Sequence, residues 1–141
     1  QVRKLGLESA FVTEDAVYHP VFLEVGGPAA EGVYLTFAQA PDTPERQQFE
    51  KTYKAMWKVD AIGSYAYYAY DAGMMALAAI DKAGTAKGDA LQKTIRGNTW
   101  PGVTGDITFD EHGDRKLAHV VWIVKDNQFV PYWDPMTGKD L

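Results

Sequence analysis

The chain has 141 residues, 46% of them hydrophobic and 13% aromatic, and a net charge of −5. That is one domain's worth of an ordinary globular composition, and with no cluster of Lys or Arg it argues against nucleic-acid binding. The absence of cysteine excludes disulfides, thiolate metal sites and cysteine nucleophiles, and no apolar run approaches the ~20 residues that span a bilayer.

In chain order, Gln1 to Leu5 reads as the end of a helix stopped by Gly6, and Ala10 to Thr13 as a short apolar strand running into the polar loop Glu14-Asp15. His19 to Val25 has the length of a short helix ended by Gly26-Gly27-Pro28, and Gly32 to Phe37 is β-branched and aromatic enough for a buried strand. Asp42-Thr43-Pro44-Glu45 is a helix start, with Asp42 expected as the cap and Pro44 in the first turn. Phe49, Tyr53, Met56 and Trp57 then recur at helical spacing. A longer helix is expected from a Ser64 cap to Ala83, closed by Gly84, with alanines on the face of Tyr65 and Tyr68 that would pack against a sheet.

A third helix is expected over Gly88 to Arg96. Pro101 to Lys116 follows it, with Gly102 and Gly105 bracketing Val103-Thr104, a short strand at Ile107 to Phe109, and a polar turn over Asp110 to Asp114. The basic pairs Arg3-Lys4 and Arg115-Lys116 read as solvated surface. Ala118 to Lys125 and Gln128 to Trp133 form a hairpin turning at Asp126-Asn127. Helices alternating with strands predict an α/β fold with an antiparallel strand pair at the C-terminal end.

Catalytic and metal signatures are missing. His19, His112 and His119 have no ligand spacing, Asp110, Glu111 and Asp114 lack the remainder of a calcium loop, and neither Ser9 nor Ser64 lies in a nucleophile elbow. No metal or cofactor is expected. A small α/β enzyme using Asp15, Glu111 or His112 is the weaker reading, since nothing pairs those groups. Asp15 stands where a hydrophobic strand gives way to a loop, a position that borders the ligand crevice in open α/β sheets, and its carboxylate suits a ligand ammonium. The alternative is an Asp that caps its own turn or the following helix. Tyr65, nearest the start of the long helix, is the tyrosine expected to reach a cleft.

Five segments taken together resemble the C-terminal part of the branched-chain amino-acid type of periplasmic binding protein, the Leu/Ile/Val receptors of ABC transporters. They are KLGLESAFVTEDAVYHP, GPAAEGVYLTF, YAYYAYDAGMMALAAIDKAG, GVTGDITFDEHGDRK and AHVVWIVKDNQFVPYW, in the family's order and nearly spanning the chain. The resemblance implies a partial type I periplasmic-binding-protein fold, with two Rossmann-like lobes joined by crossovers and a ligand held between them. Residues 1–57 would be part of the second lobe, 58–64 a crossover, 65–109 part of the first lobe and the hinge, and 110–141 a crossover, the terminal strands of the second lobe and a tail.

It further implies that Asp15, or Glu14 beside it, takes the α-ammonium of an amino acid, with Thr13 and Tyr18 flanking, and that Tyr65 touches the ligand side chain. The family usually follows this acid with Gly where this chain has Ala16. Gly102, Val103, Thr104 and Gly105 match the hinge. The implied protein is a non-enzymatic, exported receptor, periplasmic or extracellular, that captures a branched-chain or aromatic amino acid and presents it to an ABC permease. A ligand sensor of the same fold is the second reading. The chain opens on Gln rather than Met, so its start is read as a product of cleavage or truncation. About two-fifths of a receptor would leave apolar faces uncovered, so the fragment alone is expected to form a homo-oligomer or an element-swapped assembly.

Overall fold

Buried and open residues alternate along His119–Lys125 (β3) and along Val33–Ala38 (β2) up to Phe37, after which Ala38 is buried as well, and these two strands sit inside a sheet. The computed structural model describes residues 1–141, which divide into two compact units: residues 1–39 with 118–141, and residues 40–117.

The first unit holds a five-stranded sheet in the order β1-β2-β3-β4-β5. Phe11–Thr13 (β1) runs parallel to β2, with Thr13 opposite Leu35, whereas β3, Gln128–Asp134 (β4) and Lys139–Asp140 (β5) continue antiparallel. β5 adds a strand beyond the expected hairpin. Asp126 and Asn127 turn that hairpin with φ of 52° and 58°, the paired positive values of a type I′ turn, in which Asn and Asp are tolerated. A register shift at Val121/Trp122 leaves Tyr132 as the extra residue between Trp133 and Pro131, a bulge beside a proline that cannot donate to the ladder. Leu35, Phe37, Val120, Trp122 and Val124 are buried, and the Trp122 indole donates to the Phe37 carbonyl.

Pro20–Gly26 (α1) begins with the His19 ring accepting from the Val21 N–H, and its Phe22 and Leu23 pack with Phe129 on a core of Ala30, Val33 and Val124. Gln1 to Leu5 contributes one 3-10 turn over Arg3–Leu5, stopped by Gly6 in the left-handed region.

The second unit is built on Pro44–Trp57 (α2), Tyr65–Ala83 (α3) and Gly88–Arg96 (α4). Thr43, not Asp42, caps α2: its hydroxyl accepts from the Arg46 N–H, three residues on, while Asp42 takes the Gln47 amide. Ser64 precedes α3 with helical dihedrals and does not cap it through its side chain. The alanine face of α3 does not meet a sheet within this unit. Ala79 is buried with Trp100 and Ile107, and Met75, Leu91, Ile95 and Phe109 close around them, so α4 and the following loop supply the apolar partner. Ala72, expected on that face, is exposed.

The expected strand Ile107 to Phe109 is reduced to two isolated bridges, Trp100 with Ile107 and Phe109 with Arg115. Gly105 and the Asp110 turn bend the backbone too soon on either side for a ladder to extend. Residues 58–64, expected as a crossover, link α2 to α3 inside the second unit, and the chain passes between units at 39–40 and 117–118. The fold is mixed α/β.

Candidate functional site

In the first unit, β1 ends at Thr13 and the chain turns at once. Glu14 is extended, Asp15–Val17 form one 3-10 turn, and the Tyr18 N–H closes it on the Asp15 carbonyl at 2.9 Å. This turn places Asp15 at the carboxyl end of a strand parallel to its neighbour, the position from which an open α/β sheet presents side chains to a ligand. Glu14 and Asp15 are both exposed, and neither carboxylate is engaged by a group of the chain. The capping role that would otherwise account for Asp15 is not taken. The 3-10 turn has no side-chain cap and α1 is capped by His19.

Tyr18 is committed differently. Its ring stacks on Phe37 at 4.5 Å and 10° and meets Phe129 at 4.6 Å and Trp122 at 4.9 Å, so it anchors the loop to the sheet through an aromatic cluster. Thr13, Glu14, Asp15 and Tyr18 therefore come together in one short segment, with the acids outermost and the tyrosine innermost.

The other expected residues belong to the second unit. Tyr65 is the first residue of α3, with 48% of its surface open. Gly102 to Gly105 form a turn closed by the Gly105 N–H on the Gly102 carbonyl at 3.1 Å, with Val103 and Thr104 buried. The loop that contains them is tied at its neck by Trp100 and Ile107, which exchange both backbone hydrogen bonds at 3.0 and 2.8 Å.

Sequence reasoning passed over Asp71. It is buried in α3, and its carboxylate accepts from the Val103 N–H at 2.7 Å, from the Thr104 N–H at 3.0 Å and from the Thr104 hydroxyl. The signal was available: a lone acid on the inner face of an alanine- and tyrosine-rich helix needs donors. Arg115, read as solvated, is half-buried, and its Nη2 donates to the carbonyls of Thr104 and Gly105 at 3.4 and 3.3 Å.

On the outer side of this unit, Tyr67 donates to Glu50 at 2.8 Å while Arg46 lies over its ring at 4.5 Å. Burial first, and then the hydrogen bond to Glu50, push the Tyr67 phenol up to about 12. Asp110 accepts from the N–H groups of His112, Gly113 and Asp114 at 2.8 to 2.9 Å, and those donors hold its carboxyl below the usual range. The polar turn is thus an Asx-type closure, with no His, Asp and Glu side chains gathered as a metal site would need.

A model of the family described as periplasmic binding protein matches residues 1–128. The chain belongs to that family. It is similar to a leucine-, isoleucine-, valine-, threonine- and alanine-binding protein of Pseudomonas aeruginosa, with 30% identity over 117 residues, or 82% of this chain and 31% of that protein. Among solved structures, a leucine-binding protein from Thermotoga maritima matches with a TM-score of 0.79 and 29% identity, over 97% of this chain and 41% of that one. A branched-chain amino-acid ABC transporter protein from Rhodospirillum rubrum matches with a TM-score of 0.64 and 29% identity, over 92% and 39% of the two chains.

The chain spans about a third of the length of the curated relatives it matches. Its α/β architecture is a partial type I periplasmic-binding-protein fold. No helix is long and apolar enough to cross a membrane.

Proposed function

We propose that this chain is the C-terminal part of a non-enzymatic solute-binding receptor, periplasmic or extracellular, that captures an amino acid with a branched-chain or aromatic side chain for uptake by an ABC permease. The observation that carries the reading is Asp15, an exposed carboxylate at the carboxyl end of a strand parallel to its neighbour, with no partner inside the chain. A ligand α-ammonium would complete it through charge-assisted hydrogen bonds. Glu14, one residue away and equally uncommitted, is the second acid of the site.

Tyr18, held by Phe37, Trp122 and Phe129, keeps the turn rigid, so that little order has to be gained when a ligand arrives. Thr13, opposite Leu35 at the end of β1, is proposed to flank the ligand. Tyr65 is the wall residue proposed to meet the ligand side chain, and Gly102 to Gly105 the segment proposed to serve lobe closure, as a braced turn rather than a soft one. The relatives named for leucine, isoleucine and valine supply the ligand class.

The test is calorimetric titration of the full-length receptor with leucine, isoleucine, valine and phenylalanine. Asp15→Asn should weaken binding about 10- to 100-fold, the equivalent of a hydrogen bond to a charged group worth about 1.5–3 kcal/mol, with the melting temperature unchanged. Unchanged affinity in Asp15→Asn and in Glu14→Gln would refute the assignment.

A further inference from the structure

A carboxylate is costly to bury, yet Asp71 is 2% exposed in the middle of α3. All three of its donors come from one two-residue stretch of a distant loop: the N–H groups of Val103 and Thr104, one to each carboxylate oxygen, and the Thr104 hydroxyl. The opposite polarity of the same backbone is held from outside the loop as well. Arg115 donates through Nη2 to the Thr104 and Gly105 carbonyls, and its guanidinium lies 5.9 Å from the Tyr68 ring, which also belongs to α3.

The approach is close enough to dictate the residue at position 102. A Cβ there would fall 2.6 Å from Asp71 Oδ2 and 2.9 Å from the Gly105 carbonyl, so only glycine fits. Gly105, at a φ of 89°, completes the turn. Two glycines that on sequence grounds mark a flexible joint are here required by a tight contact and a left-handed turn.

We infer that Asp71 is a conformational lock, which with Arg115 clamps Gly102–Gly105 onto α3 so that the loop moves with the helix as one piece and does not bend within itself. The acid gathers the loop's N–H groups and the guanidinium its carbonyls. Asp71 is a positioning residue and needs no contact with a solute. The inference rests on the geometry of residues 40–117 alone, so its failure and that of the solute-binding reading are separate events.

Amide hydrogen exchange read residue by residue by NMR on the full-length receptor tests it. Asn at position 71 turns an amide N–H towards one of the loop N–H groups in either orientation. Asp71→Asn should therefore speed exchange at Val103, at Thr104 or at both at least tenfold while Ala79 and Ile95 stay within about twofold of the parent. Equal rates at Val103 and Thr104 in parent and variant would overturn the lock. Should the variant fail to fold, the parent alone decides. Slow exchange at both amides, comparable with Ala79, supports the clamp, and exchange at the rate of an open loop overturns it.

Discussion

Three acids of this chain carry very different burdens, set by what surrounds each one. Asp15 faces solvent uncommitted, Asp110 closes a surface turn on three backbone N–H groups, and Asp71 is sealed inside against a loop. Tyr67 shows the same principle for a neutral acid. Its phenol is pushed from 10 to about 12, so the folded chain holds that proton more tightly than the unfolded chain does. The stabilisation is complete below pH 10 and is lost as pH rises towards 12. Urea melts on either side of pH 10 should show this alkaline loss in the parent, and a smaller loss in Tyr67→Phe. At neutral pH the same variant should be less stable by roughly 0.5–1.5 kcal/mol, the net worth of the hydrogen bond to Glu50. An identical alkaline slope in both proteins would show that Tyr67 is not the group responsible.

At the scale of elements, helix and strand positions were legible because they rest on local rules. The periodicity of Phe49 and Tyr53, the left-handed stops Gly6 and Gly84, and the Asp126-Asn127 turn all act within a few residues of themselves. The misreadings fall where a choice between neighbours or a distant partner decides. Asp42 and Thr43 are both acceptable caps, and only the path of the chain puts Thr43 Oγ1 at 3.2 Å from the Arg46 N–H. Thr43→Ala should accordingly cost about 1 kcal/mol in chemical denaturation, whereas Asp42→Ala should cost a few tenths at most. Comparable losses in the two variants would argue against the assigned cap. Ile107 to Phe109 has strand-forming residues but no neighbouring strand, which local propensity cannot reveal.

For the molecule as a whole, the open apolar surface has a consequence. Val25, Val12, Leu77, Met56 and Trp57 are 81%, 70%, 66%, 66% and 63% exposed, and β1 is an edge strand with one side of its backbone unpaired. We propose that the 141-residue chain by itself associates with further copies, through faces and an edge of this kind. Light scattering coupled to size exclusion should give a mass above that of one copy, falling as the protein is diluted, and a monomer at every concentration would refute the proposal. Membership of the periplasmic binding protein family was readable from five ordered segments, because strand, helix and turn signals survive at about 30% identity. The acid at the end of β1 was readable too, since a strand running into Glu14-Asp15 is a local pattern. By itself, then, the sequence determined most of the elements, the family and the candidate acid. Only the tertiary structure decided that Asp15 caps nothing, that Tyr18 is spent on the aromatic cluster, and that Gly102–Gly105 is clamped by Asp71 and Arg115. The last two depend on partners distant along the chain, and no short-range pattern encodes which donor a buried carboxylate will meet.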